Sequence, residues 1–106
     1  MEKKLNVFER MMLMKILPRE GNFATLRLVR DLVHKLGLSA EEMDEFDVKV
    51  DDSGLAKWNA KGNEERTIEM KEKEVECIKE ALLKLDKSNK LDMQHYSIYE
   101  KFSEVS

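Results

Sequence analysis

The spacing of apolar residues along this chain changes from a helical repeat to a two-residue alternation and then returns to a helical repeat. Up to residue 46, apolar side chains recur every three or four positions in three segments, separated by Pro18 and Gly37. Between residues 46 and 58, apolar and charged residues alternate around Asp-Ser-Gly, and from Lys71 the helical spacing resumes. Helices repeat about every 3.6 residues and strands about every 2. The predicted order is therefore three helices, a hairpin and two helices.

Two pairs of residues mark helix starts. Asn6 is followed three positions later by Glu9, and Ser39 by Glu42, which is the pattern of a capping box. The sequence therefore predicts one helix from Asn6 to the proline and a short third helix at residues 40–46.

Each helix also has a predicted inward face. In the second helix it comprises Leu26, Val29, Leu32, Val33 and Leu36; in the third, Met43 and Phe46; in the fourth, residues 71–89, Val75, Ile78, Leu82 and Leu85; and in the last, after Asp92, Met93, Tyr96, Tyr99 and Phe102. For the two tyrosines and Phe102, contact with a partner is the alternative to the core.

The alternating segment predicts a hairpin whose three-residue loop, 52–54, ends in a left-handed Gly54. This register pairs Val50 with Ala56 and Val48 with Trp58. AKGNEE at 60–65 has the composition of an exposed loop, and RTIEM at 66–70 that of a further strand. The prediction is a single α+β domain of residues 1–106 with a two- or three-stranded antiparallel sheet, frayed at 1–4 and 103–106.

Length and composition limit the class of protein. A chain of 106 residues with 42% hydrophobic and 39% charged residues suits one small core. It contains one cysteine, Cys77, and starts without the pattern of a signal peptide. Its longest apolar run, residues 11–17, falls short of the roughly 20 residues that cross a bilayer. We expect a cytoplasmic protein with no membrane contact.

Charge is distributed unevenly along the chain. Residues 1–38 hold eight Lys and Arg against four Asp and Glu, whereas residues 39–106 hold eleven against eighteen. Three explanations fit this asymmetry: pairing within the chain, a head-to-tail contact between copies, or a charged partner.

The second and third helices have the spacing of a helix-turn-helix. With Gly37 at the turn, the positions that pack the two helices together are all apolar: Leu32, Leu36, Leu38, Met43 and Phe46. Three helices followed by a hairpin resemble winged-helix domains over residues 5–59, and this resemblance implies DNA binding through the third helix and the hairpin. That helix instead carries Glu41, Glu42, Asp44 and Glu45, and the hairpin adds Asp47, Asp51 and Asp52. Phosphates would be repelled from this surface.

A second surface has the opposite charge. Its basic residues, the alternative nucleic-acid contacts, are Lys15, Arg19, Arg27, Arg30 and Lys35. Pairing of these basic residues with the acidic third helix, or their simple exposure to solvent, would explain this surface without any nucleic acid.

The residues that usually carry chemistry are isolated. Neither His34 nor His95 has a Cys or His three or four positions away, so the spacing of a metal site is missing. The acidic neighbours of Cys77 oppose formation of a thiolate, which favours a packed side chain. The four glycines are scattered and form no phosphate-binding loop. We expect no catalytic residue, no cofactor and no metal.

The first helix is apolar on nearly all sides because of Met11, Met12 and Met14. Either it lies at the centre of the fold, or one side contacts another chain, such as a second copy in a homo-oligomer. We therefore predict a non-enzymatic protein-interaction module. Its predicted protein contacts are Met11, Met12, Met14, Glu41, Glu42, Asp44 and Glu45.

The run LMKILPREGNFATLRLVRDL, followed by LGLSAEE and a short hairpin ending in Trp, resembles small uncharacterised proteins of bacteriophages and prophages. The resemblance covers most of the chain. It implies an accessory viral protein in the cytoplasm of a bacterial host and assigns no role to any residue.

Overall fold

The computed structural model of the protein describes residues 2–103, which form a small α+β domain. Its strands are β1 Glu2–Leu5, β2 Lys49–Val50, β3 Ala56–Lys57 and β4 Arg66–Glu69; its helices are α1 Val7–Ile16, α2 Phe23–Leu36, α3 Ala40–Glu45, α4 Glu72–Lys87 and α5 Tyr96–Ser103; and Ala60–Asn63 and Met93–His95 form short 3-10 turns. The predicted fold class and the order of the helices are confirmed. Both predicted capping boxes are also present.

The strands form two separate antiparallel pairs. In the β2–β3 hairpin, Val50 pairs with Ala56 as predicted, and Gly54 has a φ of 86°, in the left-handed region. The third predicted strand also exists as β4, but it pairs with β1. The sequence left residues 1–4 in a frayed end, whereas Glu2–Leu5 run antiparallel to β4 with Leu5 buried. At the other end, α5 extends to Ser103, and the frayed end expected at 104–106 lies outside the described residues.

Helix α1 lies at the centre of the fold, which was the first of the two alternatives for its methionines. It packs against α2, α4, α5 and β1. The core around it is aliphatic, with one aromatic ring from α5: Leu5, Leu13, Leu32, Leu36, Ile78, Leu82, Ile98 and Phe102 are among its buried members.

Three of the predicted inward faces, those of α2, α3 and the last helix, are wrong in part. In α3, Phe46 is buried but Met43 is exposed, because this short helix covers the core only at its C-terminal end. In the last helix, Ile98 and Phe102 are buried, whereas Tyr96 is exposed, as is Met93 in the 3-10 turn before it. In an α-helix a spacing of three falls about 60° short of a full turn at each step, so Tyr96, Tyr99 and Phe102 cannot all face the core.

Candidate interaction surface

The acidic third helix is fixed to the domain by Arg10 of α1. The Arg10 side chain is only 4% exposed, and its two terminal nitrogens bind the Glu42 carboxylate at 2.8 and 3.1 Å. Its remaining bonds go to the carbonyl oxygens of Leu36, at 2.8 Å, and Gly37, at 2.7 Å. The hydrogen bond from Arg10 lowers the pKa of Glu42 from 4.5 to about 2, although partial burial opposes the shift. Arg10 therefore holds the end of α2 and the start of α3 in one arrangement.

A second carboxylate of α3 is also paired within the chain. Glu45 forms a short ion pair with Arg66 of β4, and the Arg66 guanidinium lies 4.9 Å from the centre of the Phe46 ring. Glu41 and Asp44 are exposed and make no ion pair with any residue between 2 and 103. The four predicted acidic contacts therefore divide into two that support the fold and two that face solvent.

The hairpin continues the exposed acidic side of α3. The Val48 amide donates to the Met43 carbonyl at 3.0 Å, and the Asn59 side-chain amide donates to the Glu45 carbonyl at 3.0 Å. These bonds join the base of the hairpin to α3. We name as the α3–hairpin surface the exposed residues Glu41, Met43, Asp44, Asp51, Asp52 and Leu55. Val50 is also exposed, but it pairs with Ala56 and so points to the other face of the hairpin.

The loop of the hairpin is held by one carboxylate. Asp51 accepts from the Ser53 hydroxyl at 2.6 Å and from the amides of Ser53, at 2.9 Å, and Leu55, at 3.0 Å. These bonds, that from the hydroxyl first, lower the pKa of Asp51 and keep the loop negatively charged. Leu55 is 64% exposed and Met43 is 40% exposed, so the α3–hairpin surface is apolar as well as acidic.

The three methionines are taken up largely by the core. Met12 is buried, and Met11 and Met14 are half-buried on α1. Most of the apolar surface that suggested a contact on the first helix is therefore covered by the domain itself.

The predicted basic residues are scattered rather than paired with α3. Lys35 donates to the buried carboxylate of Glu74 at the start of α4, at 2.6 Å, so it joins α2 to α4. Lys15 and Arg19 are exposed on and after α1. The partners of α3 are Arg10 and Arg66, so the suggested pairing between the acidic helix and the basic set is wrong.

The solvent side of α2 combines apolar residues with two arginines. Phe23 is 80% exposed, and Leu26 and Val33 are also exposed. Arg27 and Arg30 lie on the same side, because positions 23, 27 and 30 are four and three residues apart. We name Phe23, Leu26, Arg27, Arg30 and Val33 the α2 outer face.

Neither arginine of the α2 outer face is engaged by the fold. Arg30 reaches only its neighbour Asp31, at 3.4 Å and in solvent, and Arg27 makes no ion pair with any described residue. The helical repeat predicts Leu26 and Val33 in the core, but of the predicted α2 face only Leu32 and Leu36 are fully buried. No sequence signal points to Phe23, because a single aromatic residue next to a helix cap has no distinctive pattern.

The remaining reactive side chains have ordinary surroundings. Cys77 of α4 is half-buried, and burial raises the pKa of its thiol. His34 is exposed, and Nδ1 of His95 accepts from the Asp92 amide at 3.1 Å. Among residues 2–103, no three His, Cys, Asp or Glu side chains come together as a metal site would require.

Over the same part of the chain, every helix is too short or too polar to cross a bilayer. The protein matches no family model, no curated protein and no solved structure.

Proposed function

We propose that the protein is a small non-enzymatic interaction module and that the α2 outer face is its docking surface. The observation that carries this proposal is Phe23, an aromatic side chain 80% exposed on a helix whose exposed side also presents two arginines. Isolated exposed apolar residues are common on proteins and need no explanation. Three of them on one side of one helix, beside Arg27 and Arg30, match the composition of interface centres.

The charges define the chemistry of the partner. Arg27 has no acidic partner in the described part of the chain and Arg30 has only its exposed neighbour Asp31, so a bound surface can supply a carboxylate to each. A carboxylate receives two parallel hydrogen bonds from a guanidinium, which adds both affinity and orientation. The partner we infer is therefore a protein surface with an apolar patch bordered by Asp or Glu.

Nucleic-acid binding is the second candidate, and the same residues favour it. Phe23 could stack on an unpaired base while Arg27 and Arg30 contact phosphates, as on surfaces that bind single strands. The resemblance of residues 5–59 to winged-helix domains also favours nucleic-acid binding. We rank it second because two arginines give a small electrostatic contribution and the neighbouring α3–hairpin surface repels phosphate.

The test is capture of partners from a bacterial host lysate, which the resemblance to phage and prophage proteins recommends as the source. Three tagged proteins are compared: the wild type, Phe23→Ser with Arg27→Ser, and a control, Lys73→Ser with Leu83→Ser. The control removes one exposed cation and one exposed apolar side chain from α4. Lys73 makes no ion pair within the described chain, so its loss leaves the fold's own contacts unchanged.

Support for docking would be a protein retained by the wild type and the control after nuclease treatment but lost by the α2 variant. Equal capture by all three proteins would reject the α2 outer face as the docking surface. Material that disappears with nuclease, together with salt-sensitive binding of a single-stranded oligonucleotide, would favour the nucleic-acid candidate.

A further inference from the structure

We propose that the partner of the α2 outer face is a second copy of this chain, which docks through its α3–hairpin surface. This inference rests on the proposed function and identifies the partner of the same site. It assigns the head-to-tail explanation to the uneven charge of the two parts of the chain.

Charge complementarity is the first support. The α2 outer face presents Arg27 and Arg30, and the α3–hairpin surface presents Glu41, Asp44 and Asp52. None of these three carboxylates has an ion-pair partner among residues 2–103. Oppositely charged surfaces of this kind steer encounter and fix the register of a contact.

Apolar complementarity is the second support. Phe23, Leu26 and Val33 are exposed on the α2 outer face, while Met43 and Leu55 are exposed on the other surface. These five are half of the large apolar side chains that the described chain exposes, the others being Phe8, Val50, Leu83, Met93 and Tyr96. Each surface thus offers an apolar area beside a single sign of charge, and burying both against each other would remove apolar area from water.

The geometry determines the kind of assembly. The two surfaces involve different residues, so a contact between them is heterologous, and a pair of copies in contact retains one unused surface of each kind. Arg10 fixes the end of α2 relative to α3, so both surfaces belong to one rigid framework. Repetition of the contact would form a ring or an open chain of copies that grows with concentration.

The experiment uses two variants that each lose one surface. Phe23→Ser with Arg27→Ser removes the α2 outer face, and Asp44→Ser with Leu55→Ser removes the α3–hairpin surface. Neutral serines are chosen because reversed charges on both variants would create a new attractive pair. Molar mass is measured by light scattering after size exclusion, over a series of concentrations, with Lys73→Ser plus Leu83→Ser as the control.

Head-to-tail contact predicts that the wild type and the control rise above the 12.5 kDa of one chain as concentration increases. Each surface variant alone keeps the molar mass of one chain at every concentration. An equimolar mixture of the two variants forms a complex of about twice that mass and no larger, because only one intact surface of each kind is present. Substitution in the centre of the contact should weaken it about tenfold or more.

Three outcomes would overturn the inference, and the first two separate it from the proposed function. In the first outcome, the wild type keeps the molar mass of one chain at every concentration, and the α2 variant fails to capture a lysate protein that the wild type retains. This result rejects the second copy as the partner and leaves the docking proposal intact. A wild type that stays at one chain, with capture unchanged in the α2 variant, rejects both. Assembly that persists in either surface variant places the contact elsewhere and also rejects the inference.

Discussion

The guanidinium of Arg10 and the carboxylate of Glu42 form two hydrogen bonds of 2.8 and 3.1 Å between α1 and α3. The same carboxylate caps its own helix by accepting from the Ser39 amide at 3.1 Å. Nε of Arg10 donates to the Leu36 carbonyl, and Nη2, which also binds Glu42, donates to the Gly37 carbonyl, where α2 ends. One buried side chain therefore sets the angle between α2 and α3, and with it the relation between the two proposed docking surfaces.

Replacing Arg10 by Met should destabilise the protein strongly. Methionine fills much of the same space but leaves the Glu42 charge and two buried carbonyls without their donor. Removing one partner of such a network costs about 3–5 kcal/mol, which is a large share of the stability of a small domain. The free energy of unfolding in urea, followed by circular dichroism, measures the loss. The matched control is Glu41→Gln on the exposed side of α3, which should change stability by less than about 0.5 kcal/mol. A loss of similar size in both variants would contradict the role of Arg10.

Stability should also depend on pH through Glu42. Its folded pKa is about 2, below its ordinary 4.5, so the unfolded chain takes up a proton first as pH falls. The stabilisation from charged Glu42 is complete above about pH 5.5 and is lost progressively down to about pH 2. The shift corresponds to at most about 3 kcal/mol. Urea unfolding of the wild type and of Glu42→Gln, at several pH values, isolates this contribution from the other carboxylates. The gap between the two proteins should close as pH falls, and a gap that stays constant would show that Glu42 titrates normally.

A cation from a distant part of the chain meets a buried glutamate at two further helix starts. Glu9 accepts from the Asn6 amide at 3.0 Å and from the Lys101 ammonium at 2.8 Å; Glu74 accepts from the Lys71 amide at 2.7 Å and from the Lys35 ammonium. In each case a carboxylate at the third helical position both caps its helix and joins it to another element.

Lys101→Met should therefore loosen both ends of the chain together. Lys101 of α5 also donates to the Lys4 carbonyl at 2.7 Å and pairs with Glu65. Burial opposes its charge, but the bonds to Glu65 and Glu9 outweigh this effect and raise the pKa of Lys101. Because Glu9 is buried, loss of its cation should cost about 3 kcal/mol. Hydrogen exchange should show faster exchange in β1 and α5, whereas Lys87→Met on exposed α4 leaves both protected. Unchanged protection of β1 would contradict this role.

The local features of this fold could be predicted from the sequence, whereas its long-range contacts could not. The pairs Asn6 with Glu9 and Ser39 with Glu42 were readable because a capping box lies within four residues. Their cations were not, since Arg10 is 32 residues from Glu42 and Lys101 is 92 residues from Glu9.

The missed strand and the missed α2 outer face have similar causes. EKKL shows no alternation of apolar and polar residues, so only its pairing with β4 identifies it as β1. Helical periodicity showed that α2 is amphipathic, but it does not tell how wide an arc the rest of the domain covers. For that reason Leu26 and Val33 were assigned to the core, and the α2 outer face emerged only from the packed structure.

Gly62 gives a prediction with an optical readout, because its neighbour Trp58 is the one tryptophan of the chain. The backbone of the 3-10 turn at Gly62 is buried against the indole, and a β-carbon there would overlap the ring at Cδ1. The composition of residues 60–65 predicts an exposed loop and gives no reason for a glycine. Gly62→Ala should displace the indole, shift its fluorescence and destabilise the protein by about 1–3 kcal/mol, the usual cost of overpacking. Gly54→Ala is the control: a β-carbon there meets open space, and its positive φ adds backbone strain without touching Trp58. That variant should lose about 1 kcal/mol and keep the wild-type spectrum. A wild-type spectrum and stability in Gly62→Ala would mean that the turn does not pack against the indole in solution.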